Sequence, residues 1–571
     1  MKLWKSVTWL ALLLAIAIGL GIGFRFINLG GKVYWFDEVY TSFRAAGYTS
    51  SGIDQAIFQN RILSPANLQQ FQQIKPGSQV SDTVNSLISE DPQHPPLYFV
   101  AARWWMQIFG SSLTASRSLP ALISLFSLPV MYGLGIELFR SRLAATLAVV
   151  LLAVSPFDIL FAQTARQYSL LTLAVIASGW LLLRSLRCQT RRSWAGYALS
   201  LAAGFYSHPL FVLTLAAQGI YVLLWSRWRQ VEHSEHLEHP EHPEHPEHPT
   251  PIQPQAGRKQ AIASLSWLRH WLDWGTIVRT SLAMLLCGLL YSPWMQVLFS
   301  NYQRASATTS WTKSQVGFFN LLKLWVLSFT SLFVDIDASA DAPINYLLRL
   351  PVLVLIGIAF YALIRYTSRQ TWMFVVLSVL VPFLLLALPD LVLGGKRSAV
   401  SRYLIPCFPA VQLAVAYLLA RLLQRGHWLG RSICALLLTG AIASVTASSF
   451  APTWWSKSMS YANGSVADYI NATPAPLVIS DRGDNYTNKG QLISISYQLR
   501  DDTQLLLFSH PPDLSTLPLT TKPLVYQPSS LLRESLEAEG WQLELVFPPG
   551  GVWQAQYSGA NDSPVKRMTE P

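Results

Sequence analysis

Tyr34-Trp35-Phe36-Asp37-Glu38 sets two adjacent carboxylates on a short aromatic ledge, just after the first membrane-length apolar run at 8–28. Read alone, the pair suits the start of a helix, where a carboxylate ahead of Val39-Tyr40-Thr41 accepts hydrogen bonds from free backbone N–H groups. It equally suits a general base. An alcohol is a poor nucleophile until its proton is removed, and a carboxylate in the apolar surroundings of Trp35 and Phe36 can remove it. The choice depends on what the rest of the chain brings to the same membrane face.

The chain around this ledge is built for a bilayer. Of its 571 residues, 51% are hydrophobic and 13% charged, against about 25% charged in soluble proteins. Several apolar runs reach the ~20 residues that a crossing needs. The net charge of +11 lies largely in short loops between those runs. That follows the positive-inside bias and argues against a nucleic-acid partner. Cys188, Cys287, Cys407 and Cys434 are scattered in or beside apolar segments, so neither a disulfide framework nor a zinc motif is expected. Residues 8–24 lack a convincing cleavage site and read as a retained first helix.

The expected fold class is mainly α: a polytopic membrane helix bundle with about 11 crossings and a small C-terminal α/β extracytoplasmic domain. Lys2 and Lys5 put the amino terminus in the cytoplasm, and residues 30–95 form an outer loop of short surface helices. Residues 97–110 are apolar but short, and lie in the interface or dip back. Crossings follow near 117–139, 143–157, 167–186, 193–207 and 209–225, completing an N-terminal transmembrane catalytic module over 1–225. Residues 226–272 carry Glu-His-Pro repeats, where dense proline prevents a stable helix, and read as a low-complexity cytoplasmic linker. A C-terminal transmembrane module spans 273–449, with crossings near 276–298, 346–366, 372–392, 403–423 and 431–449. Residues 450–571 change character. Leu477-Val478-Ile479-Ser480, Leu505–Phe508, Leu524-Val525-Tyr526 and Leu543–Val546 read as strands, and 528–539 as a helix stopped by Gly540.

This register gathers several polar residues on the outer face. His94-Pro95-Pro96 starts a helix, since proline fits the first turn, but that does not explain the histidine. Arg166 and Tyr168 open a long apolar helix at its outer end, and Arg117 and Arg402 lie on the same side. Such cations run against the positive-inside bias. They either snorkel or hold an anion, and a phosphate or diphosphate suits guanidinium pairing. Asp158 sits in Ser155-Pro156-Phe157-Asp158, the turn before Arg166, and either orients it or binds a sugar hydroxyl. His94 and His208 share the face and are the candidate ligands if a divalent metal binds, although their spacing is not that of a metal motif.

Taken in order, Phe36-Asp37-Glu38, His94-Pro95-Pro96-Leu97-Tyr98-Phe99, Arg117–Leu122, Ser155-Pro156-Phe157 with Ala165-Arg166-Gln167-Tyr168, and Ser401–Pro406 form a recognisable set. The set resembles the GT-C glycosyltransferases of the protein O-mannosyltransferase and lipid A aminoarabinose transferase type, glycosyltransferase family 39. The resemblance covers roughly residues 8–425. It implies a polyprenyl-phosphate-linked sugar as donor and a hydroxyl acceptor on a lipid, glycan or protein. Transfer would occur at the periplasmic or extracellular face, with inversion. Carried over by position, Asp37 is the catalytic base and Glu38 its neighbour in the acceptor site, the two forming the catalytic pair. Arg117, Arg166 and Arg402 contact the donor phosphate, and His94, Asp158 and Tyr168 line the substrate site. The aminoarabinose branch has a metal near its second motif held by a glutamate, which His94 replaces here; the resemblance therefore calls for no particular cofactor and leaves a divalent metal open. Many bacterial relatives carry a glutamate where this chain has Thr164. A transporter or flippase of a lipid-linked sugar is the alternative. It shares the outer cations, but no internal repeat of the kind transporters show is seen.

Overall fold

The computed structural model describes residues 2–238, 273–337, 343–518 and 522–558. All eleven apolar runs are helical, as expected. Among the described residues, seven helices are long and apolar enough to cross a membrane, from Leu113–Phe139 to Trp428–Ser460. An eighth is added if the bent pair Arg142–Val154 and Pro156–Ala162 is one span. The three remaining runs form the helices Lys2–Phe24, Arg191–Ser207 and Phe211–Glu238. This is an integral membrane helical bundle. Most of the Glu-His-Pro tract lies outside the described residues.

One helix, Phe408–Gln424, is buried on every side, with Val411, Leu413, Ala414, Val415, Ala416 and Leu419 enclosed in the bundle core. Its alanines let neighbours approach closely, which is how helices associate in lipid. The first helix is locked similarly. A Cβ at Gly21 would run into the Ala153 carbonyl, and Arg25 reaches across to donate to Leu152 O at 3.1 Å and Ala153 O at 2.6 Å. This clamp fixes the point from which residues 34–38 depart.

The bent pair turns by 56° at Ser155. Pro156 has no N–H to give and fits the first turn of the new limb, while Ser155 Oγ accepts from Asp158 N at 3.3 Å. The second limb delivers Gln163–Arg166 to one end of the bundle. The helix Leu97–Phe109 has 13 residues, about 20 Å long, and is too short for a bilayer core of about 30 Å.

The C-terminal part is the expected α/β unit, with one addition. Its strands are β1 (Arg61–Leu63), β2 (Leu477–Ser480), β3 (Gln504–Leu507), β4 (Leu524–Tyr526), β5 (Trp541–Phe547) and β6 (Val552–Tyr557). They form one sheet in the order β1-β3-β2-β4-β6-β5. The central β3, β2 and β4 are parallel. Their near-continuous apolar sequences follow from burial on both faces: Val478, Leu505 and Leu507 pack with Leu492 and Ile495, while Ile479, Leu506 and Val525 pack with Leu532 and Leu536.

The added strand, β1, belongs to the loop 30–95 that was expected on the outer side, and pairs antiparallel with β3, Leu63 opposite Leu505. The loop was expected to lay short helices on the membrane. Instead Val39, Phe43, Ile53, Ile57 and Leu68 share a core with Val466, Leu492 and Leu505. Gly490 permits the closest approach, since a Cβ there would meet the Phe36 ring at 2.6 Å. The outer loop and the C-terminal α/β unit therefore share one core, and the acidic ledge lies between it and the membrane bundle.

Candidate active site

The ledge resolves into two carboxylates with different surroundings. Trp35 is extended and caps the helix Phe36–Ala45. Glu38, at the third helical position, accepts the Trp35 N–H at 3.1 Å. Its carboxylate also takes Arg117 Nε at 2.9 Å, Arg117 Nη2 at 2.9 Å and Ala165 N at 2.7 Å. Burial pushes its pKa up, but Arg117 and then Lys457 outweigh this and bring it down to about 2. Glu38 is thus a fully buried structural anion, in the capping role that the sequence also allowed.

Asp37 is the reachable one. Its side chain keeps 18% of its exposure, against none for Glu38. Its Oδ2 lies 3.5 Å from Arg402 Nη2. Its backbone carbonyl accepts from Arg166 Nη1 at 3.2 Å, and that same nitrogen donates to Thr41 Oγ1 at 2.8 Å.

Arg166 comes from the loop after the bent pair, Arg402 from the 3-10 turn Ser401–Cys407 that leads into the central helix. Tyr168 lies between these cations and interacts with both, and its ring centre is 5.8 Å from the Arg166 guanidinium. Arg402 also stands over the rings of Trp35 at 5.0 Å and Tyr403 at 5.7 Å. Burial works against the Arg166 cation, but Tyr168, Asp37 and Asp91 hold it charged and raise its pKa.

His94 completes the wall. Its Nδ1 faces Asp91 Oδ1 at 2.9 Å and its Nε2 faces Arg166 Nη2 at 3.2 Å. Burial opposes the Asp91 charge, but His94 and Arg44 lower its pKa. The His208 ring lies 6.2 Å from that of His94 and 6.0 Å from that of Tyr168. Burial, then His94, Arg166 and Arg402, hold His208 neutral. Its Nδ1 accepts from Leu210 N at 3.1 Å, so the proton sits on Nε2.

The structure thus joins Asp37, His94, Arg166, Tyr168, His208 and Arg402, and redirects three residues. Glu38 was expected in the acceptor site, but it is fully buried with its oxygens already occupied. Arg117 was expected on the donor phosphate. All five of its N–H donors are committed to Glu38, Leu29 O, Lys32 O and Val33 O, and it is fully buried, so none remains for a ligand. Asp158 was expected to orient Arg166 or to bind a sugar. Its Oδ2 instead accepts from Gln412 Nε2 at 2.8 Å, on the central helix.

A metal does not fit the histidines. His94 Nε2 faces a guanidinium and its Nδ1 faces Asp91, so a cation would meet Arg166 where it needs a lone pair. No group of three or more His, Cys, Asp or Glu side chains is placed to hold a metal among the described residues.

Sequence reasoning missed Lys457. It lies in the 3-10 turn Trp455–Ser460, at the end of the last membrane-length segment, is 2% exposed, and brings its Nζ within 3.9 Å of Glu38 Oε2. The only sequence signal was its setting, Trp454-Trp455-Ser456-Lys457.

These features can be set beside known proteins. Residues 93–237 match the family model of dolichyl-phosphate-mannose-protein mannosyltransferases. The crystal structure of ArnT from Cupriavidus metallidurans bound to undecaprenyl phosphate is similar over 96% of this chain and 98% of that one, with a TM-score of 0.52 and 12% identity. The apo form of the same protein gives a TM-score of 0.51, with the same identity and coverage. No curated protein matches the chain by sequence. The chain shares the GT-C fold of ArnT, the fold that the motifs implied.

Proposed function

We propose that the protein transfers a sugar from a polyprenyl-phosphate carrier to a hydroxyl acceptor at the outer face of the membrane, with inversion. The observation that carries this reading is the pairing of one reachable carboxylate, Asp37, with two guanidinium groups, Arg402 at 3.5 Å and Arg166 on its own carbonyl. The family match and the fold shared with a protein crystallised with undecaprenyl phosphate support it.

In this reaction Asp37 takes the proton of the acceptor hydroxyl. The oxygen attacks the anomeric carbon from the side opposite the carrier, and the bond from that carbon to the phosphate oxygen breaks. Arg166 and Arg402 stabilise the negative charge gathering on the departing polyprenyl phosphate. The proton ends on Asp37, and Glu38 with Arg117 holds the ledge still. The buried rings of Trp35 and Tyr168 strengthen these charge interactions.

Lipids and glycoproteins from cells with and without the protein, compared by mass spectrometry, test the reading. A glycan or glycolipid that disappears with the protein, while a polyprenyl-phosphate sugar accumulates, is the expected outcome. Unchanged profiles of both would sink it.

A further inference from the structure

Three cations near the ledge have buried donor atoms without acceptors among the described residues: Arg166 Nε, Arg402 Nε and Lys457 Nζ. The first two belong to the site as expected from the motifs. The third comes from the segment joining the bundle to the C-terminal α/β unit, outside the residues that match the family model.

We infer that Lys457 is a further ligand of the donor's phosphate, supplied to the membrane site by that segment. The inference rests on the polyprenyl-phosphate reading above.

An ammonium group has three donors and no acceptor capacity. The nearest anion is Glu38 Oε2 at 3.9 Å, beyond hydrogen-bond range. Glu38 already accepts four hydrogen bonds, two from Arg117 and one each from Ala165 N and Trp35 N, which fill the roughly four lone-pair sites of a carboxylate. Arg117 has also neutralised it, leaving the charge of Lys457 in excess. Buried donors left unmade are costly, so a structural role alone explains Lys457 poorly.

Its position suits a phosphate. The Trp35 ring has the Lys457 ammonium at 5.7 Å and the Arg402 guanidinium at 5.0 Å. Asp37 attracts both cations. Trp35 Nε1, beside them, is another buried donor without an acceptor. A phosphate offers several acceptor oxygens and negative charge together, and would supply the acceptor that the Lys457 ammonium lacks.

The test uses the full chain purified in detergent, titrated with undecaprenyl phosphate and, separately, with uncharged undecaprenol, and read by tryptophan fluorescence. Lys457→Met keeps the apolar stem and removes the charge. It is expected to weaken undecaprenyl phosphate binding by about tenfold or more, to leave undecaprenol binding unchanged, and to leave Tm unchanged or raised. Lys457→Arg is expected to keep most of the affinity. Unchanged phosphate affinity in Lys457→Met overturns the inference. Failure of that variant to fold does so too, because it makes Lys457 a structural counter-ion of Glu38. A wild-type protein that binds the phosphate no better than the alcohol sinks the donor reading, and this inference with it.

Discussion

Arg117 grips Glu38 with two parallel hydrogen bonds, Nε to Oε1 and Nη2 to Oε2, each 2.9 Å, and neither side chain is exposed. The three other donors of Arg117 tie down the carbonyls of Leu29, Lys32 and Val33, the stretch leading into the ledge. The pair therefore fixes the chain where it leaves the first helix and turns into the helix that carries Asp37.

Glu38→Ala should be a stability variant first. It leaves the Arg117 cation buried without its partner, which costs about 3–5 kcal/mol, and a clear drop in Tm in detergent is expected. Stability should also depend on pH. The Glu38 pKa of about 2 lies below its ordinary 4.5. Its contribution is therefore complete above pH 4.5 and is lost as pH falls from there towards 2. Asp91, also depressed, adds in the same direction below its ordinary 3.8. Glu38→Gln should flatten the acid limb of a Tm-against-pH curve. An unaltered limb would assign the acid sensitivity to other groups.

Asp37→Asn should behave oppositely. Asp37 keeps part of its exposure and has one charged partner at 3.5 Å, so replacing it removes little structure. Loss of a general base lowers turnover by about 10²–10⁴-fold. The expected result is a stable, inserted protein that still binds undecaprenyl phosphate but does not turn over, measured as transfer per mole of folded protein. Wild-type turnover would remove Asp37 from the chemistry.

Much of this arrangement was legible in the sequence because it is written in local patterns. Most of the eleven apolar runs are long, and all fold as helical segments, one of them broken at Ser155. Strands such as Leu477–Ser480 and Leu524–Tyr526 are short apolar runs bounded by turn residues. The motifs around Asp37, His94, Arg166 and Arg402 meet because each marks the same end of a helix. What was not legible depends on partners distant in the chain. Arg61-Ile62-Leu63 is too short to show alternation, and becomes a strand only because β3 offers it an open edge. Arg117 looked available because a sequence shows where a guanidinium is and not what its five donors meet. Asp158 follows a kinked turn that aims it at Gln412, a residue 254 positions away. Lys457 lies in no motif and gains meaning only when its segment folds back onto Glu38.

His94 offers a test of metal dependence. With Asp91 on Nδ1 and Arg166 on Nε2, its ring is held as a polar bridge rather than as a ligand. Strong chelators should leave transfer unchanged, and His94→Gln should lower it by weakening the hold on Arg166. Loss of activity in chelator, restored by one added divalent metal, would overturn that assignment.

The contact between the ledge and the C-terminal unit leads to the last prediction. Phe36 N donates to Ser460 Oγ at 2.9 Å, and Ser494 Oγ donates to Tyr34 O at 2.5 Å, so both flanks of Trp35 are held by residues more than 400 positions away. The outer-loop residues Val39, Phe43 and Ile53 have their core with that unit. Ser460→Ala should cost about 1 kcal/mol, since it leaves one buried N–H without a partner, and should reduce transfer without abolishing it. Ending the chain after residue 450 removes five of the six strands and exposes that core. The membrane helices should still insert, while the outer loop loses protection. Limited proteolysis should then cut within residues 46–80 in the shortened protein and not in the full chain. An equally resistant loop in both would mean that the loop folds on the bundle alone, and that the C-terminal unit does not hold Asp37 in place.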